Sequence, residues 1–228
     1  MKTIPRPSSN FDARPKGGPI DILLMHYTGM RTAVAALARL CDPQARVSAH
    51  YTVDEDGTVY AHVDEKMRAF HAGVSYWAGT TDINARSIGI EVVNPGHEFG
   101  YREFPGGQIA AVIELARDII ARYGISAARV LGHSDVAPAR KQDPGELFPW
   151  RRLAEAGVGL WPFRTDEALI GSFEEGLRRF GYGIAPDGPA SLGQAAIAFQ
   201  RHFRPECIDG VADGACERIL AALLRSLD

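Results

Sequence analysis

Ile20-Asp21-Ile22-Leu23-Leu24-Met25-His26-Tyr27-Thr28-Gly29 is the stretch on which the fold turns. Its short apolar run reads as a buried strand. The run ends at His26-Tyr27-Thr28-Gly29, so a histidine stands where a strand gives way to a loop. Thr32 to Leu40, rich in Ala and Leu, follows as a helix. His50-Tyr51-Thr52-Val53 and Thr58-Val59-Tyr60 flank Asp54-Glu55-Asp56-Gly57. Two β-prone runs around Asp-Gly predict a hairpin.

Further along, Ser87-Ile88-Gly89-Ile90-Glu91-Val92-Val93-Asn94 reads as a strand with one carboxylate among apolar residues. Gln108 to Tyr123 has helical periodicity and stops at Gly124, a C-terminal stop signal. Arg129-Val130-Leu131-Gly132 is a short strand that runs into His133. Strands alternating with helices predict an α/β domain, a mixed β-sheet flanked by helices, over residues 1–163. After Thr165 the pattern changes. Asp166 to Phe180, Ser191 to Phe203 and Asp213 to Leu227 read as three helices, separated by Gly/Pro/Asp turns. Residues 167–228 therefore form a small C-terminal three-helix bundle, near the lower size limit for independent folding.

Composition narrows the function classes. Of 228 residues, 46% are hydrophobic and 23% charged, as in ordinary globular proteins. A net charge of −3 gives no strong field toward nucleic acid or anionic lipid, so no nucleic-acid partner is expected. No apolar run is long enough to span a bilayer, so no integral membrane segment is expected. Met1 to Pro19 is polar and Pro-rich and lacks the apolar core of a secretory leader. Three cysteines, Cys41, Cys207 and Cys216, make no disulfide framework.

Three residues with metal-ligand chemistry sit at strand ends or just beyond them. His26 closes the first strand and His133 closes the late one. Asp143 follows in Lys141-Gln142-Asp143-Pro144-Gly145. Two imidazoles and a carboxylate leave a tetrahedral Zn²⁺ one open position for water, the form of catalytic zinc sites. Spacing alone leaves a second reading open, in which each histidine is a satisfied core or surface residue. No His-Glu-x-x-His helix motif is present.

Six blocks break that tie. His26-Tyr27-Thr28, Ser48-Ala49-His50-Tyr51, Phe70-His71-Ala72-Gly73, Ser87-Ile88-Gly89-Ile90-Glu91, Gly132-His133-Ser134-Asp135 and Arg140-Lys141-Gln142-Asp143-Pro144-Gly145 occur in that order. Together they resemble family 2 of the N-acetylmuramoyl-L-alanine amidases, which also holds the peptidoglycan-recognition proteins. The resemblance covers roughly residues 20 to 163. It implies a mixed sheet flanked by helices, one zinc per catalytic domain on His26, His133 and Asp143, and peptidoglycan or muropeptides as partner. The implied reaction is hydrolysis of the amide between N-acetylmuramic acid and L-alanine, in cell-wall remodelling or recycling.

The remaining roles follow from residues and resemblance together. Glu91 is the candidate base. Facing the pocket, desolvation would raise its pKa to a useful value, whereas on the solvent side of its strand it would be an ordinary surface carboxylate. Lys141 stands two residues before Asp143. In the extended segment expected ahead of Pro144, both side chains point one way, which places an ammonium beside the developing oxyanion. The resemblance places His50, His71 and Asn94 along the substrate groove, with His50 alternatively orienting a ligand or purely structural. His62, His97 and His202 have no motif around them and receive no role.

The C-terminal segment carries its own resemblance. Leu177 to Tyr182, Ala195 to Arg201 with its Phe199-Gln200-Arg201, and Ile208 to Asp213 with its Asp209-Gly210-Val211 resemble the three-helix peptidoglycan-binding domain. A generic helical cap is the competing reading. Arg204-Pro205-Glu206-Cys207 departs from that domain's short Gly-Leu link. A wall-binding domain points to the periplasm or envelope and the missing leader to the cytoplasm, so the compartment stays open. A non-catalytic peptidoglycan-recognition module is the alternative function. The complete set of His26, His133, Asp143, Glu91 and Lys141 argues against it.

Overall fold

The computed structural model describes residues 1–166 and 168–227. Ten short segments precede and build the sheet region: β1 (Ile4–Pro5), β2 (Phe11–Ala13), β3 (Ile22–Tyr27), α1 (Ala33–Cys41), β4 (Tyr51–Val53), β5 (Val59–Ala61), β6 (Met67–Ala69), α2 (Ile83–Arg86), β7 (Ser87–Val92) and α3 (Gly96–Phe99). They are followed by α4 (Gly106–Tyr123), β8 (Val130–Gly132), α5 (His133–Val136) and α6 (Trp150–Glu155), and then by the C-terminal helices α7 (Phe173–Phe180), α8 (Leu192–Phe203) and α9 (Gly214–Arg225).

A six-stranded mixed sheet has the order β1-β5-β4-β7-β3-β8. β3 runs parallel to both β7 and β8, and β4 runs parallel to β7. β4 and β5 form the antiparallel hairpin expected around Asp54–Gly57. β2 and β6 make a separate antiparallel pair. Their residues carry little of the apolar alternation that would have announced them in the sequence.

β3 is central because both of its faces are covered. Successive side chains on a strand point to opposite faces. Ile22 and Leu24 enter one hydrophobic core, Leu23 and Met25 the other. This is why Ile22–Met25 is continuously apolar rather than alternating. The core on the Leu23 side is closed by Ile109, Val112, Leu115, Ala116 and Ile119, one stripe of α4 at helical spacing. α4 stops at Gly124, whose φ of 65° is the left-handed conformation that suits glycine at a helix end.

The opposite face of the sheet is covered by the C-terminal helices. Ile22, Leu24, Leu131 and Val136 share one core with Leu177, Phe180, Tyr182, Phe199, Leu220 and Leu223. α8 and α9 start at the expected caps, Ser191 and Asp213. The first of the three helices is shorter than the sequence predicts. It begins at Phe173 rather than Asp166, with Glu167 outside the described residues. Ser172 accepts from Glu175 N–H while Glu175 reaches back to the Ser172 N–H. This capping box, preceded by Gly171 at φ 88°, fixes the start and overrides the helical composition upstream. Among the described residues, no helix is long and apolar enough to cross a membrane.

Candidate metal centre

The C-terminal ends of the parallel strands β3, β7 and β8 meet at a cavity of about 410 Å³, lined among others by His26, Tyr27, His71, Glu91, His97, His133, Lys141 and Asp143. Register puts His26 beside Glu91 on the neighbouring strand, so the two side chains share a face. His133 follows directly after β8, which pairs with β3 through Met25 and Gly132. Asp143 is held against the same turn, since Ser134 N–H donates to the Asp143 carbonyl at 2.9 Å.

His26 Nδ1, His133 Nδ1 and Asp143 Oδ2 form a triangle with sides of 3.0, 3.1 and 3.0 Å. All three side chains are buried. Donors about 2.0–2.1 Å from a tetrahedral zinc lie roughly 3.3 Å apart, so the triangle has the dimensions of one face of such a site.

Hydrogen-bond partners behind the rings fix which nitrogens carry hydrogen. His133 Nε2 lies 3.0 Å from the Ala72 carbonyl, which can only accept. Arg140, at 3.3 Å from the same nitrogen, is bonded to that carbonyl as well. Nε2 therefore holds the hydrogen, and Nδ1 presents a lone pair to the triangle. For His26 the assignment runs through two further residues. The Ser87 hydroxyl donates to the Ile83 carbonyl at 2.7 Å, so its oxygen accepts from His71 Nε2 at 3.3 Å. His71 Nδ1 is then an acceptor, and His26 Nε2–H donates to it at 3.1 Å. His26 Nδ1 is left bare. Two imidazole lone pairs and a carboxylate oxygen thus converge on one point, an arrangement that a divalent cation satisfies. This donor set fits a zinc site with a second layer of partners that orients both imidazoles.

Electrostatics agree with the geometry. Burial, reinforced by His133, lowers His26 to about 4, so this ring is neutral and ligand-competent at ordinary pH. Burial alone would raise the Asp143 carboxyl, but the charges and hydrogen bonds of His133 and His26 outweigh it and hold the group far below its usual range. Burial raises Glu91 well above the ordinary carboxylate value, the nearby Asp143 raises it further and Lys141 opposes both. Glu91 Oε2 is buried without a hydrogen-bond partner among the described residues. Lys141 is exposed at the cavity wall, close enough to act on Glu91 and His26 through its charge.

The three groove residues expected from resemblance separate. His71 lines the cavity, but both of its ring nitrogens are committed, to His26 and Ser87. His50 is fully buried behind it: Nδ1 accepts from Gly89 N–H at 2.9 Å and Nε2 meets the Met67 carbonyl at 3.2 Å. Asn94 donates to the Arg102 carbonyl at 2.7 Å and accepts from Gly96 N–H at 3.0 Å, which shapes the loop after β7. His50 and Asn94 hold the wall rather than face the cavity.

Other residues emerge only from the structure. Ser87 ends the relay behind His26. Asn84 Oδ1 accepts from the backbone N–H groups of His71 and Ala72. Gly89 makes room for the His71 ring, which a Cβ there would meet at 2.6 Å. A glycine between two isoleucines in the interior of a strand is the sequence signal for such a close approach. His97 joins Tyr27 (3.0 Å) to Glu146 (3.1 Å) along the cavity rim.

Comparison with known proteins gives the family. A profile described as N-acetylmuramoyl-L-alanine amidase matches residues 16–146. The N-acetylmuramoyl-L-alanine amidase AmiD of Escherichia coli is 40% identical over 90% of this chain and 82% of its own length. The 1,6-anhydro-N-acetylmuramyl-L-alanine amidase AmpD of the same organism is 34% identical, covering 64% of this chain and 87% of its own. A solved complex of AmiD with anhydro-N-acetylmuramic acid-L-Ala-D-γ-Glu-L-Lys superposes with a TM-score of 0.81, at 38% identity over 93% of this chain and 92% of that one. The crystal structure of AmpDh3 from Pseudomonas aeruginosa gives 0.82, at 33% identity and 99% coverage of both chains. The AmiD and AmpDh3 structures match nearly the whole of this chain, whereas AmpD matches about two thirds of it. With the profile spanning more than half of the residues, this chain belongs to the N-acetylmuramoyl-L-alanine amidase family.

Proposed function

We propose that the protein hydrolyses the amide between the lactyl group of N-acetylmuramic acid and L-alanine in peptidoglycan or its fragments, with zinc held by His26, His133 and Asp143. The observation that carries this reading is the convergence of two imidazole lone pairs and a carboxylate oxygen beside a half-buried Glu91 on the next strand, whose Oε2 is desolvated and has no hydrogen-bond partner among the described residues. Zinc, when bound there, supplies a Lewis acid that polarises the carbonyl and lowers the pKa of water.

Each other task falls to a named side chain. Glu91, desolvated and raised in pKa, takes a proton from the attacking water and returns it to the nitrogen of L-alanine as the C–N bond breaks. The products are a lactyl carboxylate and a peptide with a free amino terminus. Lys141 offers its ammonium to the oxyanion that forms at the carbonyl oxygen. Ser87 and His71 keep His26 in the ligand tautomer, and Ala72 does the same for His133. His97 and Tyr27, with Glu146 bonded to His97, line the side of the cavity where the remainder of a muropeptide would lie.

Residues 1–163 are the catalytic unit in this reading, and 167–228 a peptidoglycan-binding unit. Such a unit raises the local concentration of wall substrate at the cavity. Support comes from the AmiD and AmpDh3 matches, which run through both parts.

Purified muropeptides and intact sacculi, treated with metal-free and zinc-restored protein and analysed by mass spectrometry, test the assignment. Free stem peptide beginning at L-alanine, released only with zinc, is the expected product. Binding without cleavage by zinc-restored protein would instead make the chain a recognition module and withdraw the roles of Glu91 and Lys141.

A further inference from the structure

The C-terminal helices touch the segments that carry all three proposed ligands. His202 on α8 donates from Nδ1 to Asp135 Oδ2 at 2.7 Å. The Tyr182 hydroxyl, in the loop after α7, donates to the other oxygen, Asp135 Oδ1, at 2.7 Å. The Gly132 N–H adds a third bond to Asp135 Oδ2 at 2.7 Å. Gly132 and Asp135 bracket His133, so this one carboxylate closes the turn on which the ligand sits. Asp135, Tyr182 and His202 are all buried. A buried carboxylate that loses a donor is penalised, so both C-terminal side chains help to hold the turn.

Arg201, the neighbour of His202, reaches the Asp143 segment. Its Nε lies 3.5 Å from Glu146 Oε2, three residues beyond Asp143. Glu146 also binds His97, and His97 binds Tyr27, the residue after His26. The His202 ring stacks on Trp150 with centroids 3.8 Å apart, and Trp150 in turn abuts Gly132. A Cβ on Gly132 would meet Pro144 at 2.9 Å, so the two ligand-bearing loops are already in contact.

We infer that Tyr182, Arg201 and His202 are positioning residues of the metal centre, through which the C-terminal helices set the mutual placement of His133 and Asp143 and thereby the affinity for metal. The inference rests on reading His26, His133 and Asp143 as zinc ligands. It gives the C-terminal helices a task distinct from holding the wall: the centre is completed by residues more than forty positions away in sequence.

The test uses the full chain. Tyr182→Phe and His202→Leu are loaded with zinc and titrated with a competing chelator, and the visible spectrum of the cobalt-substituted protein reports ligand geometry. Leu220→Ala serves as the control, because Leu220 packs against Gly176 within the bundle and its aliphatic side chain can make no hydrogen bond to Asp135 or Glu146. Loss of outer partners lowers metal affinity about 10–100-fold. About tenfold weaker zinc and a shifted cobalt band are expected in Tyr182→Phe and His202→Leu. Leu220→Ala should melt earlier with zinc affinity and band unchanged. Tyr182→Phe removes a single oxygen, so it decides the matter where His202→Leu fails to fold. Unchanged zinc affinity and cobalt band in Tyr182→Phe would overturn the inference, as would an equal loss in Leu220→Ala. Failure of the unsubstituted chain to bind zinc would sink the metal reading itself, a result readily told apart from either.

Discussion

Two buried histidines, His62 just past β5 and His26 on β3, have opposite fates. His62 Nδ1 donates to the Arg6 carbonyl at 2.8 Å and its Nε2 accepts from the Thr52 hydroxyl at 2.8 Å. Both nitrogens are spoken for by the fold. His26 is tied at Nε2 alone, and its Nδ1 faces His133 and Asp143. The two sites lie along one row, because Thr52 pairs with Glu91 and Glu91 pairs with His26 across β4, β7 and β3. Burial lowers the pKa of both rings. A depressed pKa is therefore no mark of a functional histidine here. What separates them is a lone pair that the protein leaves unclaimed.

Breaking this contrast outright should give the largest effect. His133→Ala is expected to lose zinc in a metal assay and activity on muropeptides together, since it removes one of three donors. His62→Ala should keep both and lose about 1–3 kcal/mol of stability in denaturant unfolding, the usual cost of unsatisfying buried polar partners. Zinc loss in His62→Ala would show that the two sites are not separable.

Glu91 sits between the two histidines and sharpens the contrast. Glu91→Ala is expected to retain zinc while kcat falls about 10²–10⁴-fold, the typical contribution of a general base. A near-normal rate would remove Glu91 from the chemistry and leave it a structural carboxylate.

Gly89→Ala probes the relay behind His26. The added methyl would lie 2.6 Å from His71 Nδ1, so the ring must move off His26 Nε2. With its partner displaced, His26 loses the bond that selects its tautomer, and zinc affinity should fall about 10–100-fold in a chelator titration. An unchanged affinity would reduce His71 to a wall residue, much as His62 is.

The contrast also shows where reading a sequence stops. β3 and β8 were legible because each is an apolar run that leads into a histidine, β7 because it is apolar around one carboxylate, and α4 because its apolar stripe repeats from Gln108 to Tyr123 ahead of Gly124. The triangle of His26, His133 and Asp143 was legible through the blocks around each of them. The side chains behind it were not. Ser87 acts through a single hydroxyl at a strand start, where nothing periodic points to it. His202 and Tyr182 meet Asp135 across 67 and 47 residues of chain, a closeness that only the packing of the bundle on the sheet creates. Likewise His97 gained its neighbours from the fold, since the sequence around it carries no motif.

A smaller effect bears on the cost of leaving groups unclaimed. Ionised Glu91 is desolvated and unpartnered, so its folded pKa lies above the unfolded one. Between those two values the folded state binds a proton that the unfolded state does not, so stability falls as pH rises through that window. In metal-free protein, Glu91→Gln should therefore melt above the parent at neutral pH. The gain should be on the order of 1 kcal/mol, because the amide still lacks partners and only the charge penalty is relieved. The gap should close as pH falls toward about 4.3, the ordinary glutamate value, where the parent is protonated too. A gap equally wide at pH 4 and pH 8 would assign the strain to shape rather than charge. Glu91 would then resemble the satisfied side of the sheet more than the reactive one.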